Sequence, residues 1–257
     1  MDDFQKLIDI MARLRAKGGC EWDRAQTHDT LCQYLLEEAH EVVDAIQSQD
    51  PALLREELGD LLFQVLFHAQ IADEHGEFDI HDVLASITEK MVRRHPHVFE
   101  NAHADNPEAV ALQWEHIKRT IERRTYESVV DGVPKSFPSL LRAAKISKKV
   151  SRAGFDWDNP AQVLEKIEEE LSELKEAMAS GRTDRIEHEI GDVLLTVANL
   201  ARFLNLNPEL SLMSANDRFE RRFREMEKIA MESSVCIETS DMETLNRLWE
   251  SAKKNVP

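Results

Sequence analysis

Apolar residues along this chain recur three and four positions apart, the period of an amphipathic helix. Phe4, Leu7, Ile8, Met11 and Leu14 share one side of a helix predicted over residues 4–16, which stops at Gly18-Gly19. Leu31, Leu35, Ala39, Val42 and Ile46 form the stripe of a second helix between Thr27 and Gln49. Pro51 opens a third, with Leu54, Leu58, Leu61, Val65 and Ala69 in line. Further helices are predicted over 80–94, ending before Pro96, and over 107–125. The second half gives helices over 140–152 and 215–230 and around LWESAKK, and a stripe of Leu164, Ile167, Leu171, Leu174 and Met178. Alternating β-branched runs are scarce and glycines number only eight, so the fold class is all-α.

The helices come in two sets. LLEEAHEVVDAI at 35–46 and REELGDLLFQVLFHA at 55–69 return as IEEELSELKEAM at 167–178 and EHEIGDVLLTVANLA at 187–201. Glu37, Glu38, Glu41, Glu57 and Asp60 each reappear 132 positions later, as Glu169, Glu170, Glu173, Glu189 and Asp192. Trp22 in GCEWD returns as Trp157 in GFDWD, and both rings are expected to anchor the core. Lys90 and Arg94 return as Arg218 and Arg222; Trp114 in QWEHIKR returns as Trp249 in LWESAKK. The reading is two tandem domains, 1–130 and 139–257, joined by a linker at 131–138 that carries a glycine and two prolines. Each half is a few helices with wide apolar stripes. A homodimer in which helices of two subunits complete each bundle is therefore expected.

Net charge narrows the partners. At −17, from 32 basic and 49 acidic residues, the chain is a poor binder of a nucleic-acid polymer. A single nucleotide remains open, because a metal can neutralise it. Cys20, Cys32 and Cys236 form no CxxC pair, and any disulfide would leave one over, so a cytoplasmic location is expected. The acidic N-terminal start is unlike a secretory signal, and no apolar run reaches the roughly 18 residues of a membrane span.

The repeated carboxylates carry the chemistry. Glu38 borders its apolar stripe with Glu41 beside it, and Glu170 and Glu173 are placed alike. Glu57 and Asp60, three apart, share a flank, so an antiparallel helix pair would bring four carboxylates together. Helix glutamates are ordinarily solvated. Five kept in register through a duplication call for a cation, since packed carboxylates repel and raise each other's pKa. Hard oxygen ligands suit Mg²⁺. Glu169 is placed to orient or deprotonate a water, Arg218 and Arg222 to bind phosphate oxygens, and Trp249 to meet a base. Lys166, one turn before Glu170, adds a cation where the first copy has Tyr34. His95 and His97 resemble a metal pair, but they have no second-copy counterpart and read as a structural loop.

CEWDRAQTHDTL, YLLEEAHEVVDAI, EELGDLLFQVLFHA and RRHPHVF resemble the MazG-type nucleoside triphosphate pyrophosphohydrolases over essentially the whole chain. The resemblance implies two domains of the all-α NTP pyrophosphatase type, acting as a dimer. It implies Mg²⁺-dependent cleavage of NTPs or dNTPs to the monophosphate and pyrophosphate. It implies metal ligands Glu170, Glu173, Glu189 and Asp192, with Glu38, Glu41, Glu57 and Asp60 as the first-copy set and the second copy as the main catalytic one. Arg218 departs from a motif that often has Lys, which touches geometry rather than activity. Two other classes stay open. One is a ferritin-like di-metal protein, from the ExxH of Glu37 and His40; the other is a non-enzymatic helical dimer that binds a protein partner.

Overall fold

In a computed structural model, the described residues are 2–100, 106, 109, 110, 113, 114, 117 and 127–256. Most of the helix expected over 107–125 lies outside them. The chain divides into two compact units, Met1–Arg124 and Thr125–Pro257. No strand occurs among the described residues.

The first unit is built on α3 (His28–Ser48) and α4 (Pro51–Glu74), which pack together. Only two residues join them, so they run antiparallel. Thr27 and Thr30 bond each other's backbone N–H at the start of α3. The Asp50 carboxylate accepts from the amides of Ala52 and Leu53 at the start of α4. α1 (Asp3–Arg15) and the short α2 (Glu21–Ala25) precede this pair; α5 (Ile80–Arg94) and α6 (Pro96–Phe99) follow. Met11, Leu31, Phe67 and Ile71 form one core cluster, and Leu66, Ala69 and Ile80 a second. Gly19 permits the return from α1: a Cβ there would stand 2.2 Å from the Leu14 carbonyl oxygen. The Arg15 guanidinium then ties α1 to α4 through both oxygens of Glu74, at 2.8 and 2.7 Å.

The second unit repeats the pair as α8 (Pro160–Ser180) and α9 (Thr183–Phe203), after α7 (Ser139–Arg152). α10 (Pro208–Glu232) and α11 (Met242–Asn255) pack on each other through Met226, Ala230, Leu248 and Ala252. Arg202 on α9 binds both oxygens of Asp156 beyond α7, at 2.9 and 2.6 Å. The stretch expected as a linker is turn-rich and belongs to this unit, with Lys149 donating to the Asp131 carbonyl at 2.6 Å.

Two expectations are corrected. Trp22 and Trp157 are not core anchors: they are 51% and 38% exposed, and Trp22 meets Tyr34 edge-on at 5.6 Å. The stripe on α8 is also turned. Val163, Glu170 and Ala177 are buried, whereas Leu164, Leu171 and Met178 stand exposed. The apolar arc of α8 is wider than one helix contact can cover. Its Val163–Ala177 edge packs inside the unit and its Leu164–Met178 edge is left outside.

Candidate metal and phosphate site

In the first unit Glu38, Glu57 and Asp60 each place a carboxylate oxygen within 4.8 Å of the others. Glu38 comes from α3 and the other two from adjacent turns of α4, as the antiparallel pair requires. None of the three has an ion-pair partner among the described residues. Burial holds the Glu38 carboxyl above the usual range, and the charges of Asp60 and Glu41 add to this. Glu57 is likewise raised, by desolvation and then by Glu41 and Asp60. Glu41 thus acts on the cluster electrostatically, without joining the ligand group. Gln64, one turn beyond Asp60, is buried; its Nε2 donates a long 3.5 Å bond to Glu38 while its Oε1 is buried with no hydrogen-bond partner.

The second unit makes two overlapping groups with the same 4.8 Å reach. One is Glu170, Glu173 and Glu189; the other is His188, Glu189 and Asp192. Glu170 lies on the buried face of α8 with its side chain 8% exposed, and Glu189 faces it from α9 at 12%. Burial raises the Glu173 carboxyl, with Glu170 and Glu189 adding to the shift and Lys166 opposing it. The Lys166 ammonium sits 2.6 Å from Glu169 and 3.0 Å from Glu170, and both hydrogen bonds raise its pKa. Those carboxylates hold an ammonium in the place where a bound cation's charge would act. Tyr34 offers nothing comparable in the first copy, where it packs against the Met11–Phe67 cluster.

The phosphate and base candidates lie on α10 and α11. Arg218 is exposed. Arg222 is half-buried, its Nε donating to the Val256 carbonyl at 3.0 Å. Trp249 packs against Phe219, ring centres 5.2 Å apart, within the α10–α11 cluster. Sequence reasoning overlooked His188 and Gln64. The signal for His188 was present: it stands one turn before Asp192 on the same face. Gln64 looked like a core position broken by a polar residue. His95 Nδ1 donates to the Met91 carbonyl at 2.7 Å and His97 Nδ1 to Gln113 Oε1 at 2.9 Å, which suits a structural loop. His40 and Glu37 are exposed and join no ligand group among the described residues.

The donor sets test what they can hold. Carboxylates facing each other, in the first unit without an ion-pair partner among the described residues and in both units with raised pKa values, fit a hard divalent cation of the Mg²⁺ type. The unsatisfied Gln64 oxygen beside Glu38 fits the same ion or a water bound to it. Cysteine takes no part in any group among the described residues, which disfavours a soft-metal site.

Comparison with known proteins adds the following. The family model for the MazG nucleotide pyrophosphohydrolase domain matches twice, over residues 26–99 and 158–228. The nucleoside triphosphate pyrophosphohydrolase of Escherichia coli (strain K12) is 44% identical over 259 residues, covering 99% of this chain and 98% of that protein. The nucleoside triphosphate pyrophosphohydrolase/pyrophosphatase MazG of Thermotoga maritima is 44% identical over 250 residues, covering 97% and 95%. The crystal structure of a mazG-related protein from Thermotoga maritima aligns with a TM-score of 0.40 and 29% identity, over 45% of this chain and 98% of that one.

Proposed function

The chain belongs to the MazG nucleotide pyrophosphohydrolase family, and on that premise we propose that it hydrolyses NTPs and dNTPs between the α and β phosphates, giving the monophosphate and pyrophosphate with Mg²⁺. The observation that carries the reading is the facing of Glu170 and Glu173 on α8 with Glu189 on α9, repeated in the first unit by Glu38, Glu57 and Asp60.

Glu170, Glu173, Glu189 and Asp192 would hold the cation. When bound, it supplies charge neutralisation for the triphosphate and acidifies a water. The protein's own groups do the rest. Lys166, released from Glu169 and Glu170, turns its ammonium to the phosphates. Arg218 and Arg222, one turn apart, clamp phosphate oxygens; Arg222 keeps its Nε on Val256 and uses its terminal nitrogens. Glu169, freed of Lys166, accepts the proton of the attacking water, and Trp249 presents a ring face to the base.

The second copy does most of the hydrolysis. Both copies retain the acidic positions, but the second adds Lys166 where the first has Tyr34, and a triphosphate still carries net negative charge after a metal binds. The assembly is a homodimer, with the exposed Leu164–Met178 edge of α8 and the similarly exposed Leu36 and Ile46 of α3 covered by a partner. No helix of the described residues is long and apolar enough to cross a membrane, and Cys20, Cys32 and Cys236 are free; we place the protein in the cytoplasm.

The test is product identification over all NTPs and dNTPs with and without Mg²⁺. Nucleoside diphosphate and orthophosphate as primary products would sink the reading. In the same assay, Glu170→Ala should lose about a hundred- to a thousandfold in kcat/KM, and Glu38→Ala far less. Equal losses would mean two working sites.

A further inference from the structure

We propose that His28 and His68 form a proton-sharing fastening in the first unit, joining the first turn of α3 to α4, and that it opens when the pair takes up a further proton. Acidification thereby loosens the first copy and leaves the second untouched.

The geometry is that of a shared proton. His28 Nδ1 lies 2.8 Å from His68 Nδ1, and the two rings are parallel to within 1° with centres 5.1 Å apart. That separation is the N···N distance plus the two ring radii. The rings therefore meet edge to edge in one plane, with the N–H aimed along the line of centres. One Nδ1 donates and the other accepts, so only one of the two carries hydrogen. His28 is exposed, whereas His68 Nε2 is buried with no hydrogen-bond partner. The neutral pair suits this with His68 as donor and its Nε2 bare. A third proton does not. While the bond persists one Nδ1 stays bare, so both Nε2 atoms must carry hydrogen, and one of them is the enclosed Nε2 of His68. An N–H without an acceptor there is costly. Breaking the bond instead frees His28 Nδ1 to protonate in water. Proton uptake and opening are one event.

The surroundings do not offset the added charge. Arg15 of α1, over the Phe67 ring, is bound by Glu74 of α4, and Glu21 and Arg24 of α2 pair with each other at 2.7 Å. Neither Asp23, which is buried, nor Asp29, next to His28, makes an ion pair with either imidazole among the described residues. His28 also opens α3, where the helix dipole disfavours a cation. Burial, and then His28, hold the His68 imidazole below its ordinary value of 6.5. A lowered histidine stabilises the closed form fully above the unfolded pKa, and that contribution is lost as pH falls below it. What opens is the start of α3, capped by Thr27 and Thr30 and followed by the fully buried Leu31. The second copy has no such pair: 132 residues later stand Pro160 and Leu200.

The experiment titrates full-length protein through the histidine range. Long-range proton–nitrogen spectra of histidine-labelled protein report which ring nitrogens carry hydrogen, and hydrogen exchange reports protection of the Leu31 and Cys32 amides. In wild type their protection factors should fall about tenfold per pH unit below about pH 6.5, in step with protonation of the pair. Those of Val163 and Leu164, the matching turn of α8, should hold. His68→Leu, which installs the second-copy residue, should make protection of Leu31 and Cys32 independent of pH in this range. Should that variant not fold, His28→Ala, at an exposed position, gives the same test. Two imidazoles titrating separately near about 6.5, Leu31 protection unmoved by protonation of the pair, or undiminished pH dependence in His28→Ala would each overturn the proposal.

Discussion

Arg15 shows how one side chain can organise a unit. Its guanidinium is 6% exposed and bonds Glu74 twice, together with the carbonyls of Asp23 and Gln26. Those bonds hold the Glu74 carboxyl below its ordinary value of 4.5, against the opposing effect of burial. A depressed carboxylate stabilises the fold above the unfolded pKa, and that contribution fades as pH falls through the folded one. Arg15→Met should cost about 1–3 kcal/mol at neutral pH, and its deficit against wild type should shrink on acidification below about pH 4.5. Thermal unfolding across pH measures both. At the site, Lys166→Met should lower kcat/KM about a hundredfold, because Glu169 and Glu170 keep their charge without its ammonium. An unchanged rate would place Lys166 as a structural counter-ion only.

At the scale of elements, the two helix pairs turn in the same way with different residues. Gln49 ends α3 at φ 58°, and Gly181 ends α8 at φ 66°. The serine before each turn donates to the carbonyl three residues back, Ser48 to Ala45 and Ser180 to Ala177. Only glycine adopts this left-handed conformation without strain. Gln49→Gly should therefore stabilise the first unit, and Gly181→Ala should destabilise the second, each by about 1 kcal/mol. A Cβ on Gly181 would meet nothing within 4 Å, so backbone strain alone sets that cost. Urea midpoints for the pair of variants, moving in opposite directions, are the check.

For the whole molecule the main unmet demand is apolar surface. Leu164, Leu171 and Met178 on α8 and Leu194 and Val197 on α9 are exposed although their helices pack closely within the unit. The proposed homodimer would resolve this by burying those edges. Light scattering should give twice the chain mass, and Leu171→Asp should shift the population to monomer with loss of activity. A fully active monomer would contradict the dimer.

The sequence alone settled the helical class, the duplication, and which carboxylates recur. A 3.6-residue period and a constant 132-residue spacing are properties of the string and need no coordinates. It also placed Glu38, Glu57 and Asp60, because a two-residue turn leaves two long helices little choice but to run antiparallel. Tertiary structure decided what depends on rotation and reach. Glu170 sits in the middle of a buried face rather than at its border, because the edge of α8 that packs is set by α9 and not by the mean of its own apolar residues. Trp22 and Trp157 are on the surface rather than in the core, Trp22 edge-on against Tyr34, which a recurring Trp in the string does not reveal. Lys166 closes on Glu169 and Glu170, and His188 on Asp192, through side-chain rotamers that a spacing of three or four permits but does not impose.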